Sequence, residues 1–162
     1  MDKKELIEEI KEEIKNLERL EGELKSVLDD ISAMEREPTF KEIRISGSIL
    51  HDFYSGIEKI FERISLAVDN NFPQGEKWHI VLLSQMAKSY GDIRPAVISE
   101  NLYENLKEYL KFRHLFRHIY GFELKWERIK PLVLSMPDVF HNLKKDIRKF
   151  MDYLEADKQL KK

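Results

Sequence analysis

The stretch Ile49-Leu50-His51-Asp52-Phe53-Tyr54-Ser55-Gly56-Ile57-Glu58-Lys59-Ile60-Phe61 decides the fold class. Its apolar side chains recur at intervals of three and four residues, which lines up one face of a helix. Ile43 continues that face upstream, and Ile64 and Val68 continue it downstream. A helix is therefore expected from about Thr39 or Phe40 to Asp69. Gly47 and Gly56 weaken it locally or mark close helix contacts. Pro38 sets the upstream limit, because proline disfavours helix in the residue before it. The run Asp69-Asn70-Asn71-Phe72-Pro73-Gln74-Gly75 carries the densest turn chemistry in the chain and sets the downstream limit.

Before Pro38, Ile7, Ile10, Ile14, Leu17, Leu24, Leu28 and Ile31 alternate spacings of three and four, with Glu21 interrupting the seam. Leu6, Leu20, Val27 and Met34 widen the stripe beyond a two-stranded coiled coil, so residues 1–37 read as one long acidic amphipathic helix. After the turn, a short helix is expected from about Glu76 to Ser89, ending near Gly91. Ser99-Glu100-Asn101 forms an N-cap with an acid in the first turn, starting a helix over about 99–120. A last helical region begins near Trp126, is expected to break around Ser135-Met136-Pro137, and resumes through Val139 to Leu154.

The chain of 162 residues holds only 6 Gly and 5 Pro, with 42% hydrophobic and 36% charged side chains. That composition suits helices rather than a turn-rich β-sandwich. The expectation is an all-α fold in a single domain spanning 1–162, with the long N-terminal helix followed by a bundle over 39–157, four to six helices in all. The longest apolar runs fall well short of the roughly 20 residues that a membrane helix needs, and the charged N-terminus lacks a signal core. A soluble, cytoplasmic protein without membrane partners is expected. With no cysteine, disulfides and thiolate chemistry are excluded.

Charge is unevenly placed. Residues 1–40 carry 7 basic and 13 acidic side chains, whereas residues 107–130 carry 7 basic and 3 acidic ones. Within the basic part, Phe112-Arg113-His114-Leu115-Phe116-Arg117-His118-Ile119-Tyr120 holds two arginines, two histidines and a tyrosine. On a continuous helix, Phe112, Leu115, Phe116 and Ile119 face a core, and Arg113, His114, Arg117, His118 and Tyr120 share the opposite arc. Arginine can fork onto phosphate oxygens and stabilise a pentavalent transition state, and histidine can move the proton of a 2′-hydroxyl or a leaving oxygen. Arg113 and His118 lie about 140° apart on an ideal helix, so two copies across a symmetric dimer would clasp a phosphate better than one.

Plainer readings of these residues stay open. Arginine and histidine on the polar face of a helix are commonly solvated or ion-paired. His114 and His118 have the spacing of a zinc-chelating pair, but no third ligand is evident. Tyr120 could simply pack the helix end with its hydroxyl in water. His79 could reach a cleft or only pack, while His51 and His141 sit among apolar neighbours and read as structural. Phe122, Leu124 and Trp126 could stack on a base or join the core. A glycine-rich phosphate loop, a G-x-S-x-G elbow and an Asp-x-Asp metal centre are all missing, which disfavours a kinase, a serine hydrolase and a nucleotidyltransferase.

Arg113, four intervening residues, His118, one residue and Tyr120 resemble the R-x4-H-x-Y motif of HepT-like toxins, a branch of the HEPN ribonucleases. The resemblance extends to Phe53-Tyr54-Ser55-Gly56-Ile57-Glu58, Trp78-His79, Arg94-Pro95-Ala96-Val97-Ile98 and the stretch through Glu123-Leu124, covering most of residues 40–150. It implies a HEPN-like antiparallel helical bundle. It further implies a homodimer with a composite cleft and an endoribonuclease that cuts RNA by internal 2′-hydroxyl attack without metal ion or cofactor. Arg113 and His118 would then be catalytic, with His114 supporting. The implied partner is a minimal nucleotidyltransferase antitoxin that adds AMP to Tyr120, and Arg117 is read as a second phosphate contact. The rival reading is a non-catalytic helical module of the same fold that binds a nucleotide or a protein partner. The acidic N-terminal helix lies outside the matched region; it could pack on the bundle, extend the dimer, hold an antitoxin, or cover the basic cleft.

Overall fold

A computed structural model describes residues 2–157. Five α-helices carry the fold: α1 (Lys3–Ala33), α2 (Phe40–Ile64), α3 (Trp78–Met86), α4 (Glu100–Phe116) and α5 (Trp126–Ala156). A single π turn, Ser65–Asp69, extends α2 to the limit expected from sequence, and a 3-10 turn, Gly121–Glu123, precedes α5. Among the described residues there is no β-strand, only one isolated bridge between Tyr90 and Arg94. No described helix is long and apolar enough to cross a membrane.

The helix starts follow local chemistry. Asp2 accepts the amide of Glu5 at 2.7 Å, and Ser99 accepts that of Leu102 at 3.1 Å. Thr39 and Glu42 form a reciprocal capping box at the start of α2. The Glu42 carboxyl is held down to about 2, first by its hydrogen bond to Arg36 and then by the Thr39 amide.

Contacts along the helices set their directions. Glu9 pairs with Arg63 at 2.7 Å, and Leu17 lies against Gly56, so α1 and α2 run antiparallel. Lys3 reaches the carbonyl of Glu155, and Lys144 lies 3.7 Å from Glu18, so α5 is antiparallel to α1. The Ser99 amide at the start of α4 donates to Asp146 at 2.9 Å and Tyr109 donates to the carbonyl of Leu132 at 2.8 Å, so α4 is antiparallel to α5. The buried side chains form one cluster drawn from all five helices, with Leu50, Phe53, Tyr54, Ile57 and Phe61 of α2 at its centre. The expected stripe of α1 is used in this way: Leu6, Ile7, Ile10, Leu17 and Leu24 are buried.

Several sequence expectations need correction. α1 stops at Ala33 rather than 37, because Met34 caps the helix and Glu35 turns into the left-handed region at φ 48°. α3 covers less than 76–89; Gly91 is left-handed at φ 51° but belongs to the turn closed by Tyr90 and Arg94, not to a helix cap. α4 ends at Phe116, not 120. α5 does not break at Pro137: it runs through both Pro131 and Pro137. Each proline removes one helix hydrogen bond, but Val133, Met136 and Phe140 are fully buried around Pro137 and hold the helix in line. His141 is exposed on α5 rather than packed, whereas His51 lies against the Phe116 ring at 5.4 Å.

A buried ion pair fixes the connection between α3 and α4. Arg94 forks onto Asp69 through Nε at 2.5 Å and Nη2 at 2.7 Å, and also donates to the carbonyls of Lys88, Pro95 and Gln85. Asp69→Ala leaves this guanidinium uncompensated, and chemical denaturation should show a loss of about 3–5 kcal/mol. At Gly56 an added Cβ would meet Leu17 Cδ2 at 2.7 Å. Gly56→Ala is expected to cost about 1–3 kcal/mol by overpacking, read as a lower Tm with unchanged helix content.

Candidate functional site

Three helices converge on one carboxylate. Glu58 lies on α2 one turn after Tyr54, on the face that otherwise builds the core, and is 5% exposed. From α3, His79 Nδ1–H donates to Glu58 Oε2 at 2.7 Å. From α4, Arg113 brings Nη2 to 3.8 Å from Glu58 Oε1, and its Nε donates to Ser55 Oγ at 3.4 Å. The carboxylate thus divides its two oxygens between an imidazole and a guanidinium. Burial and the Glu58 charge push the Tyr54 hydroxyl far above its ordinary range. Burial, and then the Glu58 charge, raise the Glu62 carboxyl.

The faces of His79 and Arg113 turned away from Glu58 open on a groove of about 490 Å³ between α3 and α4. Ile80 and Leu110 give it apolar lining, His114 stands beside Arg113, and Lys77, Lys107 and Lys111 add positive charge against Glu76. No acceptor among the described residues takes either terminal nitrogen of Arg113 in a hydrogen bond. Lys107 and Lys111 pair with Glu104 and Glu108 one turn away, exposed contacts of little strength. None of the lining belongs to α1, so the acidic helix does not cover this groove.

The remaining sequence-predicted residues leave the helix. Because α4 ends at Phe116, Arg113, His114, Arg117, His118 and Tyr120 do not share one arc, and the 140° relation does not describe them. Arg117 is exposed and caps the helix through its backbone. His118 Nδ1 lies 2.6 Å from the carbonyl of His114. A carbonyl only accepts, so Nδ1 carries the proton and the lone pair of the neutral ring sits on Nε2. The rings of His114 and His118 are 4.4 Å apart, placing His118 beside the rim of the groove.

Tyr120 is extended, 71% exposed, and stacked on Phe122 at 5.2 Å. Gly121 packs against the guanidinium of Arg44. Arg113 sits beside Ser55 and Gly121 beside Arg44, eleven residues away on α2, a separation of about 16 Å along the helix axis. One chain therefore gathers His79, Arg113 and His114 around the groove and sets Tyr120 well apart. Leu124 joins the core, Trp126 packs at its edge, and Phe122 alone of the three is exposed. Among the described residues, no three His, Asp or Glu side chains converge closely enough to hold a metal ion.

A family model described as HepT-like protein matches residues 46–154, from the first third of α2 to the last turn of α5. The chain belongs to the HepT-like family. No curated protein and no solved structure matches it. Ser55, Glu58, His79, Arg113, His118 and Tyr120 all lie inside the HepT-like span, and α1 lies outside it.

Sequence reasoning assigned no role to Ser55 or Glu58, although both fall in a stretch resembling the family. The available signal was a glutamate on the apolar face of α2, since a buried carboxylate requires partners. Glu62 generates a pH prediction for this HepT-like chain. Its carboxyl is raised in the folded state, so the favourable contribution exists at low pH and is lost as pH rises through the raised value. Glu62→Gln should therefore raise Tm near neutral pH, and the gain should vanish as melts are repeated toward pH 4.

Proposed function

We propose that this HepT-like protein is the endoribonuclease toxin of a type II toxin–antitoxin pair whose antitoxin is a minimal nucleotidyltransferase. In the proposed reaction a 2′-oxygen attacks the adjacent phosphorus while a base takes its proton. The bond from phosphorus to the 5′-oxygen then breaks, and an acid returns a proton to that oxygen. The products are a 2′,3′-cyclic phosphate and a 5′-hydroxyl, with no metal ion required.

The observation that carries this reading is the state of Arg113. Its Nε is anchored on Ser55 and its Nη2 lies 3.8 Å from Glu58, too long for a hydrogen bond, while the residue lines a groove rich in lysine. Such a fork is prepared for phosphate and for the charge that builds on it. His118 supports the reading, because its bound Nδ1–H leaves Nε2 as the basic nitrogen for proton transfer. Arg117 would contribute further positive charge, and His114 a hydrogen-bonding ring nitrogen beside Arg113. The separation of about 16 Å between the surroundings of Arg113 and Gly121 favours a homodimer, in which residues from two chains meet at one phosphate. Tyr120, an exposed residue, would accept AMP from the antitoxin, adding bulk and negative charge where RNA phosphate binds.

One observation favours the rival reading of a helical module without turnover: the Arg113 side chain is only 14% exposed and already lies beside a carboxylate. The two readings separate in one experiment. With EDTA present, the purified protein should cut single-stranded RNA to cyclic phosphate ends, and His118→Ala should lower the rate by about 10²-fold or more. Equal rates in the two proteins, or no cleavage of any RNA while Tyr120 is unmodified by mass spectrometry, would replace the enzyme with the binding module.

A further inference from the structure

His79 stands outside the motif that the resemblance supplies, yet it shares the Glu58 carboxylate with Arg113 and lines the same groove. The ring is fixed on two sides. Its Nδ1–H is bound to Glu58 Oε2 at 2.7 Å, and one face lies on the Trp78 indole at 3.6 Å between centroids. Trp78 in turn packs on Phe72 at 5.3 Å. No described residue takes His79 Nε2 in a hydrogen bond, and the side chain keeps 26% of its surface exposed. A carboxylate bound to one ring nitrogen sets the tautomer and aims the other nitrogen. The same pairing satisfies the buried carboxylate and leaves Nε2 as the ring nitrogen without a partner among the described residues, on a side chain that lines the groove beside Arg113.

We infer that His79 is a second acid–base residue of the site, donating a proton from Nε2 to the leaving 5′-oxygen, with Glu58 as the positioning residue that aims it. The inference rests on the ribonuclease reading above. It divides the chemistry between two imidazoles: His118 takes the 2′ proton, and the imidazolium of His79 returns one as the bond from phosphorus to the 5′-oxygen breaks. Each imidazole regains its starting state by proton exchange with water, so the step balances without a co-reactant. The arrangement also gives the Arg113–Glu58–His79 set a purpose within one chain, since a single carboxylate holds the group that binds phosphate and the group that protonates its leaving oxygen in fixed relation.

The test compares two substrates that differ only in the need for that proton. Single-stranded RNA loses a 5′-alkoxide, which must be protonated; uridine 3′-(4-nitrophenyl phosphate) loses a nitrophenolate, which need not be. His79→Gln, with an amide still facing Glu58, should cut RNA about 10²-fold more slowly and cleave the nitrophenyl ester close to the wild-type rate. His118→Ala should lose rate on both. Should the glutamine variant melt early, His79→Asn replaces it. Wild-type rates for His79→Gln on RNA, or equal losses on both substrates, would overturn the role of His79 while leaving the ribonuclease intact. A wild type that cleaves neither substrate would overturn the ribonuclease reading itself.

Discussion

α2 buries a carboxylate at mid-helix, and the bundle is arranged so that it can. Taking an ionised group out of water costs several kcal/mol unless paired donors replace the lost hydration. Glu58 meets this condition only because α3 delivers His79 to one oxygen and α4 delivers Arg113 toward the other. The requirement fixes where both helices lie on α2. It is reinforced by the Arg94–Asp69 pair, which clamps the connection between them to the end of α2. Close approaches at Gly47, against Phe116 and Leu124, and at Gly56, against Leu17, complete the seating of α4 and α1.

Most helices were legible because their signals are local and periodic. The apolar spacing of α1 and α2, the Ser99 cap and the turn-rich run after Asp69 all act within a few residues of the feature they specify. Helix ends were less legible where tertiary contacts decide. Glu35, not a glycine, takes the left-handed position after α1, where the chain must turn so that Arg36 reaches Glu42. In α5, Ser135-Met136-Pro137 reads as a break, yet burial on either side of Pro137 outweighs the lost hydrogen bond. Periodicity carries no record of such long-range support.

The site was partly legible for the same reason. Arg113 and His114 lie within α4 and line the groove together. The helical projection failed three residues later, because α4 stops at Phe116 and the chain turns to seat Gly121 against Arg44. His118 gains its defined tautomer from that very departure, since a carbonyl at the end of a helix has no amide to bind it and accepts the imidazole instead. Glu58 went unassigned because its partners come from residues 21 and 55 positions further along the chain, a relation that no local pattern encodes.

The seating of α1 on α2 and α5, away from the groove, has an electrical consequence. Acidic residues concentrate in the first 40 positions, while the groove between α3 and α4 is lined by Lys77, Lys107, Lys111 and Arg113. With little net charge, −2 for the chain, the molecule still distributes its charge unevenly between its N-terminal helix and the lysines of the groove. At physiological salt, fields persist over about 8 Å, so a polyanion nearing the surface feels a torque before it makes a contact. If the partner is the RNA proposed above, such a field would favour approaches in which the groove leads and the acidic helix trails. Orientation would thus precede recognition, and a helix that touches no part of the groove would shape how often an encounter arrives there.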